Sequence, residues 1–206
     1  YKSDRDNCLK ASYNETQLRN DFIDPLLKCF GWDVDNDKGK TQFLRDVIQE
    51  EYIEVEDSAS KKNPDYTLRI NGTRKLFVEV KKPSVNVLKS AKSAFQTRRY
   101  GWNANLGISI LTNFENLIVY DCRYKPDASE NEHVARIKIY NVEDYLNSYE
   151  EIHELISYES ANSGHLDNLF SVYERKGETF DDFFLSQIED WRQRLAISAI
   201  DKNENL

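Results

Sequence analysis

Hydrophobic residues recur along the chain with a helical period in some segments and with a period of two in others. Between Thr16 and Phe30, apolar side chains return every three or four positions, which predicts an amphipathic helix. Gly31 follows directly and is a typical C-cap residue, so we expect the helix to end there. Residues 46–55 mix β-branched and acidic side chains and predict a strand.

Two clearer strands follow at 66–70 and 75–80, separated by an Asn-Gly dipeptide that is typical of β-hairpins. In an antiparallel pair, opposite residues point to the same face of the sheet. Because both strands alternate apolar and polar residues, paired residue numbers must have an even sum. We therefore predict a three-residue loop at 71–73, with Ile70 opposite Arg74.

Beyond the hairpin, the same patterns predict a helix at Leu88–Trp102 and strands at 106–111 and 117–121. The order of helix, three strands, helix and two strands is typical of an α/β protein. We expect a mixed central β-sheet flanked by helices.

Composition changes near Tyr140. Residues 142–206 hold 15 Asp and Glu against 5 Lys and Arg, and amphipathic patterns predict helices at 145–158, 166–173 and 180–200. We expect residues 1–140 to form a core domain. Residues 141–206 are expected to form an acidic helical extension that connects this core to further domains. The chain contains no Met, so we expect it to be a piece of a larger protein.

The overall composition excludes several other classes of protein. No apolar run approaches the ~18 to 20 residues of a membrane span, so we expect a soluble cytoplasmic protein with no membrane segment. The three cysteines, Cys8, Cys29 and Cys122, are far apart and show no C-x-x-C spacing. This argues against disulfides and against a zinc site, and we expect three buried thiols.

The net charge of −8 conceals a basic segment. Residues 61–101, here called the basic stripe, contain eleven Lys and Arg against two acidic residues, a net +9. A solvated lysine face and a phosphate-binding surface both fit this charge alone.

Asp65, Glu79 and Lys81 form a P-D-x13-E-x-K pattern within the basic stripe. The predicted register places Asp65 opposite Glu79, with Lys81 two residues further along the same face. Two carboxylates suit Mg²⁺, which completes its octahedron with water and substrate phosphate, and Mn²⁺ is the expected substitute. A neighbouring ammonium can stabilise the charge that develops on an attacked phosphate. A solvated strand face on which Glu and Lys alternate is the alternative.

Several further segments extend this pattern. They are 15–19 (ETQLR), 22–27 (FIDPLL), 31–33 (GWD), 63–66 (NPDY), 77–83 (FVEVKKP), 96–102 (QTRRYGW) and 111–114 (LTNF). Together they resemble the PD-(D/E)XK nucleases, specifically the N-terminal nuclease domains of type I restriction subunits and of fused restriction-modification (type IIG) enzymes. The resemblance covers about residues 13–125. It implies a restriction-endonuclease-like core and the cleavage domain of a restriction enzyme, a Mg²⁺-dependent DNA endonuclease.

The resemblance also implies roles for individual residues. The implied catalytic residues are Asp65, Glu79, Lys81, Gln96 and Glu15, of which Asp65, Glu79 and Glu15 bind the metal. Phosphate or DNA contacts are expected from Lys82, Lys89, Lys92, Arg98, Arg99 and Tyr100. Gln96 and Tyr100 match a Q-x-x-x-Y element beside the active site of some members, and they lie one helical turn apart. An ordinary surface helix is the alternative for this pair, and an ion pair with Arg19 is the alternative for Glu15.

The implied partners are double-stranded DNA and methyltransferase or specificity domains outside this chain. Cleavage of both strands by one site per domain would need a transient dimer on DNA. Two other functions stay open: a non-catalytic module that docks DNA or a partner, and a nuclease of the same fold that acts on RNA or branched DNA.

Overall fold

The computed structural model describes residues 1–53 and 63–170, together with Ile188, Trp191, Arg192 and Leu195. The chain divides into two compact units, residues 1–172 and 173–206. In the second unit, the four described residues have helical backbone. None of the helices in the described part of the chain is long and apolar enough to cross a membrane.

The N-terminal helical region is less regular than its sequence predicts. It comprises α1 (Arg5–Cys8), α2 (Glu15–Leu18) and α3 (Asp24–Cys29), with a π-helical turn at Arg19–Ile23 between α2 and α3. Asn14 caps α2, because its side chain accepts from the Gln17 amide while the Gln17 side chain accepts from the Asn14 amide. The predicted end is confirmed, since Gly31 follows α3 in the left-handed conformation at φ 86°.

A six-stranded mixed sheet forms the centre of the first unit. Its strands are β1 (Val47–Gln49), β2 (Tyr66–Ile70), β3 (Thr73–Val80), β4 (Ile108–Thr112), β5 (Asn116–Asp121) and β6 (Arg136–Asn141). They lie side by side in chain order, and β3 and β4 are parallel while the other neighbours are antiparallel. The predicted α/β class with a mixed sheet is confirmed.

The strands differ from the predictions at both edges of the sheet. The first predicted strand is reduced to β1, and residues 54 and 55 lie outside the described part of the chain. β6 was not predicted, although Ile137 and Ile139 alternate with polar residues in its sequence, and in the structure both isoleucines are exposed. It forms by pairing with β5.

The hairpin of β2 and β3 reaches its predicted register by an unpredicted route. Asn71 and Gly72, with φ 50° and 81°, form a two-residue turn that pairs Ile70 with Thr73. The predicted three-residue loop is therefore wrong. A β-bulge then shifts the register between Leu68 and Arg69. Lys75 is skipped, so Leu68 lies opposite Leu76 and the even sum required by the apolar pattern is restored.

The remaining helices pack on both faces of the sheet. They are α4 (Ala91–Asn103), α5 (Tyr149–Ile156), α6 (Tyr158–Ser163) and α7 (His165–Leu169). α4 begins three residues later than predicted because the Ser90 side chain caps it, accepting from the Ser93 amide. The predicted helix at 145–158 ends at Ile156, and the one at 166–173 begins at His165. Of the predicted helix at 180–200, only the four residues named above are described.

The main buried cluster joins α2, α3 and the even-numbered face of β2 and β3 to the helices after β6. Ile152, Ile156 and Leu166 contribute to this cluster although they follow the boundary predicted at residue 140. The structure divides the chain after residue 172 instead. Ile152, Ile156 and Leu166 are buried by packing against the core, so their helices belong to the first unit.

The opposite face of the sheet is covered by α4, where Tyr100 packs with Phe77 and Ala94 packs with Leu111. Glu79 therefore belongs to a covered face rather than to a solvated one, and it is 2% exposed. Free thiols account for all three cysteines. Cys8 and Cys122 are buried as predicted, but the prediction for Cys29 is wrong, because it lies on the exposed side of α3.

Candidate active site

The hairpin brings Asp65 and Glu79 together. Asp65 immediately precedes β2, and its Oδ2 accepts a hydrogen bond from the Val80 amide at 2.7 Å. This bond anchors the Asp65 carboxylate beside the residue that follows Glu79 on β3. Burial, and to a smaller extent the charge of Glu15, raise the pKa of Asp65, while the Val80 amide and nearby cations oppose the shift.

Glu79 is the most deeply buried acid of the site. Its Oε1 accepts from Lys81 Nζ at 2.5 Å and from Gln96 Nε2 at 2.6 Å. Its Oε2 is buried with no hydrogen-bond partner. Burial and the Asp65 carboxylate raise the pKa of Glu79 to about 7. A buried carboxylate oxygen without a donor is costly, and a proton or a cation on Oε2 would relieve that cost.

Lys81 lies just beyond the end of β3, where its backbone amide donates to the Thr112 carbonyl at 2.8 Å. Its side chain is 18% exposed, so the ammonium lies between buried Glu79 and solvent. Desolvation opposes the charge of Lys81, but the Glu79 and Asp65 carboxylates outweigh it and raise the pKa of Lys81. The ammonium is therefore held in its charged form beside the two carboxylates.

Gln96 and Tyr100 lie one turn apart on α4, as the sequence predicts. Gln96 Nε2 donates both to Glu79 Oε1 and to the Tyr100 hydroxyl, at 2.6 and 3.0 Å. Tyr100 is 2% exposed, and burial raises its pKa to about 12. The surface-helix alternative is wrong for this pair, because Gln96 contacts the site and Tyr100 supports Gln96 from the core.

Glu15 is not assembled with the other two acids. It is the first residue of α2, and its charge raises the pKa of Asp65 and Glu79 through space. Within residues 1–53 and 63–170, no three His, Cys, Asp or Glu side chains come close enough to enclose a metal ion. The alternative of an ion pair between Glu15 and Arg19 is also wrong, because the Arg19 guanidinium contacts Glu50 and Asp65.

Arg19 and Glu50 are two residues of the site that the sequence did not reveal. Arg19 Nη1 lies 3.5 Å from Asp65 Oδ1 and donates to Glu50 Oε1 at 3.1 Å. These partners come from different elements, so the local i, i+4 spacing could not show them. The π-helical turn that begins at Arg19 leaves no clear mark in the periodicity, although such turns are frequent at functional sites.

The basic stripe is only partly a surface. Lys89 and Lys92 are exposed, and Lys82 and Arg99 are half-buried. Other members form internal ion pairs: Arg69 and Arg74 with Glu51, Lys75 with Asp167, and Arg98 with Glu130.

Two members of the predicted DNA-binding set require correction. Arg98 is 2% exposed with its guanidinium paired to Glu130, and Tyr100 is equally buried against Phe77. Neither side chain is available to DNA in this structure. Tyr100 lies on the side of α4 that faces the sheet, whereas Arg98 is enclosed by its pairing with Glu130, which lies between β5 and β6.

The donor set fits a hard divalent cation. Asp65 Oδ1 and the unpartnered Glu79 Oε2 supply two carboxylate oxygens, which match the one or two protein carboxylates that Mg²⁺ usually takes. No His or Cys belongs to this group of contacting side chains, so the site is unlike those of zinc.

Comparisons with known proteins show which family this chain resembles. Residues 47–128 match the family model of the type I restriction enzyme R protein N terminus (HSDR_N). This segment contains Asp65, Glu79, Lys81 and all of α4. This match confirms the resemblance to restriction-enzyme N-terminal domains.

The chain is similar to the type II restriction enzyme and methyltransferase RM.Eco57I of Escherichia coli. It is 44% identical over 207 residues, a match that covers 99% of this chain and 21% of that protein. The chain thus spans about a fifth of the length of this curated relative.

Two solved structures are also similar. A fragment of an HsdR subunit of a type I restriction enzyme from Vibrio vulnificus YJ016 is 18% identical, with a TM-score of 0.42, over 73% of this chain and 28% of that one. The type IIG restriction endonuclease BpuSI is 21% identical, with a TM-score of 0.37, over 57% of this chain and 14% of that one. The α/β class rests on the six-stranded mixed sheet itself.

Proposed function

We propose that this chain is the Mg²⁺-dependent DNA endonuclease domain of a restriction enzyme. The observation that carries the proposal is the buried, unpartnered Glu79 Oε2 beside Asp65 and Lys81. The 44% identity to a restriction enzyme and methyltransferase supports the same class of activity.

Asp65 and Glu79 would hold the cation through Oδ1 and Oε2. A bound Mg²⁺ supplies Lewis acidity and lowers the pKa of water. Gln96 Nε2 donates to Glu79 Oε1 and fixes the orientation of the Glu79 carboxylate. Glu79 Oε2 is left without a hydrogen bond. Lys81, at the solvent side of the pair, is placed to orient the attacking water and to stabilise negative charge that develops on the phosphate.

The proposed reaction is in-line hydrolysis of a phosphodiester. A water oxygen forms the new bond to phosphorus while the bond to the 3′ oxygen breaks with its electron pair. The attacking water releases one proton to solvent, the 3′ oxygen takes one proton from solvent and leaves as a hydroxyl, and the water oxygen stays on the 5′ phosphate. Lys82, Lys89, Lys92 and Arg99 remain the proposed phosphate contacts outside the reacting group.

The proposed function also implies a substrate, partner domains and a cellular location. Double-stranded DNA is the proposed substrate, and sequence specificity would come from methyltransferase or specificity domains outside this chain. We propose that two copies meet transiently on the duplex when both strands are cut. We also propose a cytoplasmic location, where the DNA substrate is found.

Calorimetric titration of Mg²⁺ or Mn²⁺ into the 206-residue chain, with plasmid nicking in the same buffers, tests the proposal. Asp65→Asn should lose cation binding and nicking together while its circular dichroism is unchanged. Asp6→Asn, an exposed acid on α1, is the matched control and should behave as wild type.

The other outcomes separate the alternatives. Cation binding through Asp65 without nicking would mean that absent domains are needed to deliver DNA. No cation binding would favour the non-catalytic docking module. Cleavage of RNA or branched DNA in preference to the plasmid would reassign the substrate within the same fold.

A further inference from the structure

Arg19 occupies the side of Asp65 that a cation would need. The other Asp65 oxygen, Oδ2, is committed to the Val80 amide at 2.7 Å. Oδ1 lies 3.5 Å from Arg19 Nη1, and the Arg19 side chain is only 13% exposed. Because solvent screens such a half-enclosed charge weakly, the guanidinium partly neutralises the carboxylate oxygen left for a metal.

Glu50 holds Arg19 at this position. Its Oε1 accepts from both terminal nitrogens of Arg19, at 3.1 and 3.2 Å. The Glu50 backbone is fixed beside Asp65, because its amide donates to the Asp65 carbonyl at 3.1 Å and its carbonyl accepts from the Asn63 side chain at 2.7 Å.

The backbone conformation of Glu50 adds to this picture. Its φ of 53° lies in the left-handed region, which is unfavourable for a residue with a side chain. Such conformations persist where the surroundings enforce them and are common at functional sites. Here the residue in this conformation is Glu50, the second carboxylate that binds Arg19.

Resting on the proposed function, we propose that Arg19 is a phosphate-positioning residue, held by Asp65 and Glu50 until a divalent cation displaces it from Asp65. A cation bound at Oδ1 would repel the guanidinium and weaken its contact with Asp65. Glu50, whose side chain is 62% exposed, then keeps Arg19 at the rim of the site. Release from Asp65 frees one N–H of Nη1, a charged donor for a phosphate oxygen, while Glu50 keeps its contacts with Nη1 and Nη2.

Arg98 provides the contrast within the same molecule. It is 2% exposed and paired with Glu130, so it has no path to a phosphate. Arg19 lies beside the reacting group instead, with one partner that a cation would take away and another that is open to solvent. This difference in surroundings separates a positioning residue from an internal ion pair.

The first test uses Ca²⁺ as a cation probe in calorimetric titrations of the 206-residue chain. Arg19→Met removes the competitor for Asp65, so Ca²⁺ affinity should rise about two- to five-fold, the range expected for losing one such ion pair. The Ca²⁺ affinity of Arg19→Lys should lie between those of wild type and Arg19→Met. Arg5→Met, which removes the ion pair of Arg5 with Glu115 far along the chain, is the matched control and should leave the affinity unchanged.

The second test measures binding of a fluorescent DNA duplex by anisotropy, in EDTA and in Ca²⁺. Wild type should bind DNA more tightly in Ca²⁺, and Arg19→Met should lose most of that gain, although it binds Ca²⁺ better. Arg19→Lys keeps the positive charge without the guanidinium, and it should retain part of the Ca²⁺-dependent gain in DNA affinity. This opposite movement of the two affinities is not expected of a residue that only supports the fold.

The results that overturn the inference are distinct from those that overturn the function. Unchanged or weaker Ca²⁺ affinity in Arg19→Met, or a full Ca²⁺-dependent gain in DNA affinity, would refute the role of Arg19 while the nuclease proposal stands. If Arg19→Met fails to fold by circular dichroism, Arg19→Lys decides, and wild-type behaviour in both assays refutes the role. Wild-type protein that binds none of Ca²⁺, Mg²⁺ and Mn²⁺ refutes both.

Discussion

Replacing Glu79 by glutamine should stabilise the metal-free protein above neutral pH. Burial and the Asp65 carboxylate raise the pKa of Glu79 from its ordinary 4.5 to about 7. A carboxyl with a higher pKa in the folded state favours folding while it is protonated. That contribution is complete below pH about 4.5 and is lost as the pH rises through about 7. Glutamine keeps the acceptor for Lys81 and Gln96 and never ionises.

The size of the effect follows from the two pKa values. Each pKa unit corresponds to about 1.4 kcal/mol, so the change from 4.5 to about 7 sets an upper limit of roughly 3 kcal/mol on the loss of unfolding free energy. The pKa of about 7 already includes the attraction of Lys81, which lowers it. We therefore expect the variant to exceed wild type by about 1 to 3 kcal/mol at pH 8 and to match it near pH 4.

Urea unfolding followed by circular dichroism, in EDTA from about pH 4 to about pH 8, measures this difference. Glu150→Gln, an exposed acid in the first turn of α5, is the control and should follow the wild-type pH dependence. Parallel curves for wild type and Glu79→Gln would refute the reasoning, because they would show that ionisation of this carboxyl carries no cost in the folded state.

Three further predictions concern the site, the surface and the interior. Lys81→Met should lower plasmid nicking at least about 100-fold with an unchanged circular dichroism spectrum, since the side chain is at the solvent edge; retained nicking would remove Lys81 from the mechanism. Lys89→Gln combined with Lys92→Gln should reduce the slope of log DNA affinity against log salt by about 2, and an unchanged slope would exclude both lysines from phosphate contact. Glu130→Gln should destabilise by about 2 kcal/mol or more in urea unfolding, whereas Arg98→Met should cost less, because only the first leaves a buried charge unpaired; the reverse order would contradict the ion-pair interpretation.

The hairpin shows how far local pattern could go. The requirement that apolar residues face each other predicted the even register near Asp65 and Glu79, and the structure has that register at Tyr66 and Val78. The loop was wrong because a bulge at Lys75, not a longer turn, supplies the extra residue. Periodicity reports which face a residue takes, but it does not report where along the strand the compensating residue is inserted.

Charged residues show where local pattern stops. Basic residues 61–101 look alike in sequence, yet some are exposed and others are internal, as with Lys92 and Arg98. The partner that neutralises Arg98 lies 32 residues away on the segment after β5. Such pairs depend on which segments the tertiary fold brings together, and spacing along one helix carries no record of them.

What the sequence determined by itself was the α/β class, the Gly31 helix end, and the alignment of Asp65, Glu79 and Lys81. These depend on alternation and on short-range turn chemistry, which act between neighbours in the chain. The tertiary structure decided which charges are buried, that Arg19 contacts Asp65, and that the helices after β6 join the core. The physical reason is that burial and electrostatic pairing are properties of distance in space, so they exist only once distant segments pack.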